Sequence, residues 1–261
     1  MNAEERMTWL IRALQDETPE YKAYKIPSDF DGQWNLLRSL LNIRPPEPAS
    51  QEFLNIQDEL LKELTAKKGI VNCRDLKSVG RNQKLYLWQG DITVLKCDAI
   101  VNAANNQLLG CFIPCHNCID NIIHTMSGVQ LRLACHEIMR RQGYLEKTGT
   151  AKITPGYNLP AQYVIHTVGP IVDGMLLKQH KDLLSNCYRA CLNLAAENNL
   201  KSVAFCCIST GVFRFPKQKA AEIAVETVEK YLAENKNNHI QQVIFNVFSD
   251  DNFDIYHNLL K

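Results

Sequence analysis

The sequence predicts an α/β domain: a mixed, largely parallel sheet with helices on both faces, preceded by a helical N-terminal extension. Two patterns carry this. From about residue 84, short apolar runs of strand length alternate with segments whose apolar residues recur every three or four positions, as in crossover units. Before residue 70 only the helical period occurs. Composition agrees: of 261 residues 46% are hydrophobic and 22% charged, enough to bury a core and incompatible with wholesale disorder.

Element by element, Met7, Leu10, Ile11 and Leu14 fall on one helix face. Phe30, Trp34, Leu37 and Leu41 repeat the spacing, with Ser28 as the expected N-cap. The segment Arg44-Pro45-Pro46-Glu47-Pro48 breaks the chain, because proline lacks an N–H and restricts the residue before it. A third helix is expected from Ser50 to Gly69, with Phe53, Ile56, Leu60 and Leu64 on one face and the pairs Asp58–Lys62 and Glu63–Lys67 at i, i+4. Strands are then expected at Leu85–Trp88, Ala99–Val101, Tyr163–Val168, Val203–Ile208 and Val243–Phe248. Helices are expected at Ile119–Met126, Val129–Arg140, Leu183–Ala196, Ala220–Leu232 and Ile255–Leu260. The division this implies is 1–74 for the extension and 75–261 for the main domain. The extension's apolar faces, including Trp34 and Phe53, are expected to pack against that domain.

Charge and cysteine usage narrow the function. A net charge of +1 argues against a bulk nucleic-acid binder, which needs a basic excess to neutralise phosphates. No apolar stretch reaches the length of a membrane span, and the Met1–Arg6 segment lacks the basic-then-apolar order of a signal peptide. A cytoplasmic location is the expectation, with no membrane partner. There the ten cysteines are expected as thiols, several of them buried, such as Cys206 and Cys207.

The most informative segment is Gly110-Cys111-Phe112-Ile113-Pro114-Cys115-His116-Asn117-Cys118-Ile119-Asp120. Three thiols, an imidazole and a carboxylate follow a strand, and thiolate and imidazole are preferred zinc ligands. A closed structural site would use Cys111, Cys115, His116 and Cys118; an open one would use three and leave a position free. The adjacency of Cys115 and His116 makes it hard for both to face one ion, which favours Cys111, His116 and Cys118. Asp120 stands at the expected helix start, where it could be the N-cap and also a carboxylate facing a ligand beside the metal, as base or ribose anchor; the two roles are compatible. His124, four residues on, is expected to pack.

In parallel sheets ligands sit beyond the carboxyl ends of strands. Ser209-Thr210-Gly211-Val212-Phe213 follows a strand there, and its small residues allow backbone N–H groups to approach a phosphate. Asp91, in Gly90-Asp91-Ile92-Thr93, is placed either to accept from an adenine amino group or to bond its own backbone. Asn102 and Asn105 offer amides to ribose hydroxyls or to the loop itself.

Together these segments resemble the macrodomain family, the ADP-ribose-binding three-layer α/β/α fold. Gly90-Asp91-Ile92-Thr93, Ala99-Ile100-Val101-Asn102-Ala103-Ala104-Asn105 and Ser209–Phe213 occur in the family's order, over residues 75–261. The middle loop departs from the usual glycine run and looks like the zinc-containing microbial subfamily, which also carries a helical extension. Arg214 is a second departure, at a position where many members have glycine. The subfamily implies Zn2+ on Cys111, His116 and Cys118, with Cys115 outside the ligand set. It implies a hydrolase that removes mono-ADP-ribose from acidic side chains of a modified protein, reversing a sirtuin-type transferase, with a lipoyl-carrier protein as substrate in microbial operons. Adenine is then expected at Asp91 and Ile92, and the diphosphate at Ser209, Thr210, Gly211, Val212 and Phe213 with the Ile119 backbone. The distal ribose is expected beside Phe213 and Asn105. Asp120 and Asn105 are the expected catalytic residues. The rival reading is a module that binds ADP-ribose without cleaving anything.

Overall fold

Each helix of the extension begins where a side chain answers an otherwise unpaired backbone N–H. The computed structural model describes all of residues 1–261 except Arg81 and Asn237. Helix α1 (Ala3–Glu17) opens on a capping box between Asn2 and Glu5. Helix α2 (Phe30–Ile43) is capped by Asp29, whose carboxylate accepts from the Gly32 N–H at 2.8 Å. Ser28 is therefore not the cap: a cap must directly precede the first helical residue, and that residue is Phe30. Helix α3 (Gln51–Lys68) runs from the Ser50 cap to Gly69, as the sequence predicts. Its Glu63–Lys67 pair forms at 2.7 Å, but the Asp58 carboxylate accepts from Gln130 and Asn158 rather than meeting Lys62. Between α2 and α3 the proline-rich break is tied down by Arg44, which pairs with Glu17 at 2.7 Å and donates to the Glu47 and Pro48 carbonyls.

The main sheet has six strands: β2 (Leu85–Gln89), β4 (Ala99–Ala104), β5 (Ala151–Pro155), β6 (Tyr163–Val168), β7 (Ser202–Phe205) and β8 (Gln242–Val247). Their spatial order is β2-β8-β7-β4-β6-β5, parallel except for β5, which runs antiparallel to β6. A small parallel pair joins β1 (Val71–Asn72) to β3 (Leu95–Lys96). The central strands β4, β7 and β8 read as near-continuous apolar runs because both faces are covered. Strand β5 went unpredicted: Ala-Lys-Ile-Thr-Pro alternates over only five residues and ends in proline, which argues against a central strand. Strand β7 stops at Phe205, three residues short of the expected run, and Cys206–Ile208 leave the ladder to enter the loop beyond it.

Helices α6 (Lys178–Glu197), α7 (Lys217–Glu234) and α8 (Asp250–Leu260) cover one face of the sheet. Helices α6 and α8 start about five residues earlier than predicted, because their first turns are polar. Helices α4 (Ile119–Ser127) and α5 (Val129–Gln142) cover the other face, and α2 and α3 pack against α4. This is the three-layer α/β/α arrangement behind a helical extension. No described helix is long and apolar enough to cross a membrane.

Strand β4 leads through α4 and α5 toward one edge of the sheet, and β7 leads through α7 toward the other. Their carboxyl ends part at a topological switch point, where a crevice must open.

Asp29→Ala should destabilise the protein by about 1 kcal/mol, whereas Ser28→Ala should stay within about 0.5 kcal/mol of wild type. Urea unfolding followed by circular dichroism checks both.

Candidate active site

The crevice at the switch point is a cavity of about 960 Å³. Its walls are the end of β4, the Gly110–Asp120 loop, the loop after β7 and the end of β8. A second cavity of about 550 Å³ adjoins it, sharing Asn117, Ile119, Asn246 and Phe248 and reaching Asp91 and Ile92. The structure thus gathers all three sequence-predicted segments around one continuous cleft.

Asp120 sits in the first turn of α4 and is buried. It is not the N-cap; that position belongs to Cys118, whose Sγ accepts from the Asn121 N–H at 3.4 Å. The Asp120 carboxylate instead accepts from Asn102 Nδ2 at 2.8 Å and Asn105 Nδ2 at 3.4 Å. Burial raises its pKa to about 6, against the opposing pull of the Asn102 bond and the Arg132 charge. His124 Nε2 lies 3.6 Å from the same carboxylate, but neither ring nitrogen has a hydrogen-bond partner among the described residues. Burial drives the His124 pKa well below its ordinary value, so the imidazole is neutral and the approach is not an ion pair.

Asn102 faces inward, away from any ligand. Parallel register sets it opposite His166, and its Nδ2 also reaches His166 Nδ1 at 3.2 Å. Nδ1 therefore accepts, Nε2 carries the proton, and that proton goes to Thr154 Oγ1 at 2.9 Å on β5. The chain Thr154–His166–Asn102–Asp120 runs through three strands and one helix. Sequence reading missed Thr154 and His166; the one available signal was a histidine inside an otherwise apolar strand. Asn105 does line the cleft, but its amide is engaged by the Gly110 carbonyl at 2.9 Å as well as by Asp120.

In the loop, donor atoms of Cys111, His116 and Cys118 all lie within 4.8 Å of one another, and Cys111 Sγ is 3.6 Å from His116 Nδ1. Donors at zinc-bond distance around a tetrahedral ion stand roughly 3.3–3.8 Å apart, so this set fits a soft divalent ion. Burial pushes the Cys118 thiol up to about 12, so binding an ion there must release a proton. Cys115 is turned away, with its Sγ 3.2 Å from Ser39 Oγ on α2. Gly110 is required twice over: φ is +80°, and an added Cβ would lie 2.8 Å from the His124 ring. His124, Cys135 and His166 form a second close group, but both His166 nitrogens are already bonded and burial pushes the Cys135 thiol up.

After β7, Ser209 (φ +66°) and Arg214 (φ +55°) take left-handed conformations and bend the intervening residues around the cleft. The Ser209 hydroxyl is buried against Gly169. Among the described residues, the Gly211, Val212 and Phe213 amides donate no hydrogen bond within the protein. Consecutive free amides of this kind form an anion cradle. Arg214 turns away from the cleft toward Asp173, 3.7 Å off and as exposed as itself, a pair worth little in water. Asp91 bonds Thr93 through one oxygen, while the other accepts from Lys68 at 2.9 Å.

Comparison with known proteins agrees with this geometry. A family model described as Macro domain matches residues 101–224. The chain is 57% identical over 263 residues to a protein-ADP-ribose hydrolase of Treponema medium, covering 100% of both. The chain belongs to the macrodomain family. A protein-ADP-ribose hydrolase of Staphylococcus aureus (strain MSSA476) is 50% identical to this macrodomain over 252 residues, 96% of the chain and 93% of the relative. Relatives this similar over their whole length are hydrolases, and so is this protein. Among solved structures, a Trypanosoma brucei macrodomain in complex with ADP-ribose superposes with a TM-score of 0.66 at 30% identity, over 82% of this chain and 92% of that one.

Two outcomes are expected from the buried network. Asn102→Ala, which strands His166 Nδ1 and removes the main partner of Asp120, should cost about 1–3 kcal/mol of stability, measured by denaturant unfolding. Burial lowers the His166 pKa from 6.5 to about 3, so the unfolded chain takes up a proton more readily than the folded one. The stability this histidine contributes is complete above pH 6.5 and is lost as pH falls toward 3. His166→Gln should flatten that part of a stability–pH curve, read by thermal unfolding.

Proposed function

We propose that this macrodomain binds ADP-ribose in the cleft and hydrolyses the bond between mono-ADP-ribose and an acidic side chain of a modified protein, with zinc held by Cys111, His116 and Cys118. The carrying observation is convergence: the three metal-competent donors, the buried Asp120 and the free amides of residues 211–213 line one cavity. Adenine enters the adjoining cavity between Asp91 and the apolar side chains of Ile92 and Phe248. The diphosphate takes the Gly211–Phe213 amides and the N-terminus of α4 at Ile119. The distal ribose then lies between Phe213 and Asp120.

Hydrolysis consumes one water and one ester: the C–O bond to the modified side chain breaks, giving a free carboxyl group and ADP-ribose. Asp120 accepts the water's proton as the new bond forms. Asn102 and Asn105 hold the carboxylate in place. When bound, zinc supplies Lewis-acid polarisation of an oxygen or a lowered pKa for a bound water. That a sirtuin-type transferase lays down the modification, and that a lipoyl-carrier protein bears it, rests on the subfamily resemblance.

The test is incubation with a protein mono-ADP-ribosylated on Asp or Glu, with release of free ADP-ribose followed by mass spectrometry. Wild type should release it; Cys111→Ala and Asp120→Ala should slow release by at least about 100-fold, with ADP-ribose binding retained in calorimetry. Binding without release in wild type would establish the reader function instead, and full activity after metal stripping would remove zinc from the reaction.

A further inference from the structure

We propose that Arg38 and Asn42 on α2 are positioning residues for the metal ligands, so that the N-terminal extension sets the affinity of the site for zinc. The inference rests on the metal reading above and goes beyond it.

Helix α2 reaches the metal loop at two adjacent residues. Arg38 Nη2 donates to the His116 carbonyl at 2.7 Å and to Asn121 Oδ1 at 2.9 Å. Asn121 is fully buried, and its Nδ2 in turn donates to the Cys111 and Ile113 carbonyls at 3.2 and 3.0 Å. One guanidinium therefore holds the backbone at His116 directly and at Cys111 through a single side chain. Asn42 grips the residue between: its Oδ1 accepts from the Cys115 N–H at 2.9 Å, while its Nδ2 anchors on Thr125 of α4 at 3.0 Å.

That grip has a local reason. Cys115 is left-handed, φ +53°, a conformation disfavoured for a side chain larger than glycine's. Left to itself the segment would relax to an ordinary backbone and swing His116 away from Cys111. Contacts from α2 hold it: the Asn42 bond on the amide and Ser39 and the Asn35 carbonyl on the sulfur. Cys115 thus serves the site without facing it. Because charge-assisted bonds are the stronger kind, Arg38 is the larger contributor.

The experiment uses the full chain. Zinc affinity is measured by competition with a chromogenic chelator for wild type, Arg38→Met, Arg38→Lys and Asn42→Ala. Loss of a group that orients a ligand weakens metal binding about 10–100-fold, the fall expected for Arg38→Met, with Asn42→Ala also weakened. Arg38→Lys, which keeps a cationic donor, should recover part of the loss. Excess zinc should restore kcat of Arg38→Met, which a merely misfolded site would not allow. In wild type the Cys115 amide should be protected from hydrogen exchange. Zinc binding at wild-type strength in Asn42→Ala and either Arg38 variant overturns the proposal, and so does free exchange at Cys115. Should Arg38→Met not fold, Arg38→Lys and Asn42→Ala decide the question. Wild type that binds no zinc overturns the metal reading itself.

Discussion

A carboxylate buried at the end of a parallel sheet is costly unless its charge is answered by hydrogen bonds. The bond from Asn102 to Asp120 is that answer, and much of the surrounding structure exists to make it. Asn102 projects toward α4 because β4 pairs in register with β6, which sets it against His166. His166 in turn has one tautomer open to it, because the Asn102 amide donates to its Nδ1, and the proton left on Nε2 goes to Thr154 on the antiparallel edge strand. Asp120 is therefore oriented by three strands before any ligand arrives. Burial raises its pKa.

The second constraint comes from the opposite side of the loop. Helices α1 to α3 have their own apolar cluster, with Met7, Leu37 and Leu60 fully buried, and their polar contacts with the main domain include one group on Cys115, His116 and Asn121, made by Arg38, Ser39 and Asn42, and another on Val129, Gln130 and Asn158, made by Gln57 and Asp58. Arg132 on α5 adds to this, donating to the Leu109 and Leu41 carbonyls while its guanidinium lies over the Phe112 ring at 4.3 Å. The metal-competent loop is thus clasped between an extension and a helix layer rather than hanging free from the sheet. A loop with four exposed or half-exposed ligand-type side chains would otherwise have many alternative arrangements, and ordering them would be charged against metal binding.

The two halves of the cleft work differently. The half formed by residues 211–213 offers backbone amides, which carry no titratable charge and are held by two left-handed residues. The half around Asp120 and the Cys111–Cys118 loop offers titratable side chains. Separating them across the switch point lets one molecule meet a permanent anion cradle at one part of its length and reactive groups at another.

The sequence by itself determined the element order, most strand and helix positions, the membership of the three cleft segments and the identity of the ligand-type cluster. Those features are local: apolar period, proline breaks and residue type are read a few positions at a time. What only the tertiary structure decided is which way side chains turn. Asn102, read as bonding either a ribose or the loop, is a buried support for Asp120; Asp120, read as both cap and ligand-facing carboxylate, yields the cap to Cys118; Ser209 hides its hydroxyl. Strand β5 escapes local reading because a five-residue alternation ending in proline is a weak local signal, and what makes it a strand is its pairing with β6. Orientation depends on register and on contacts between residues such as Arg38 and His116, 78 positions apart. No local pattern carries information about such a pair, because the energy that selects it arises only once the layers have packed.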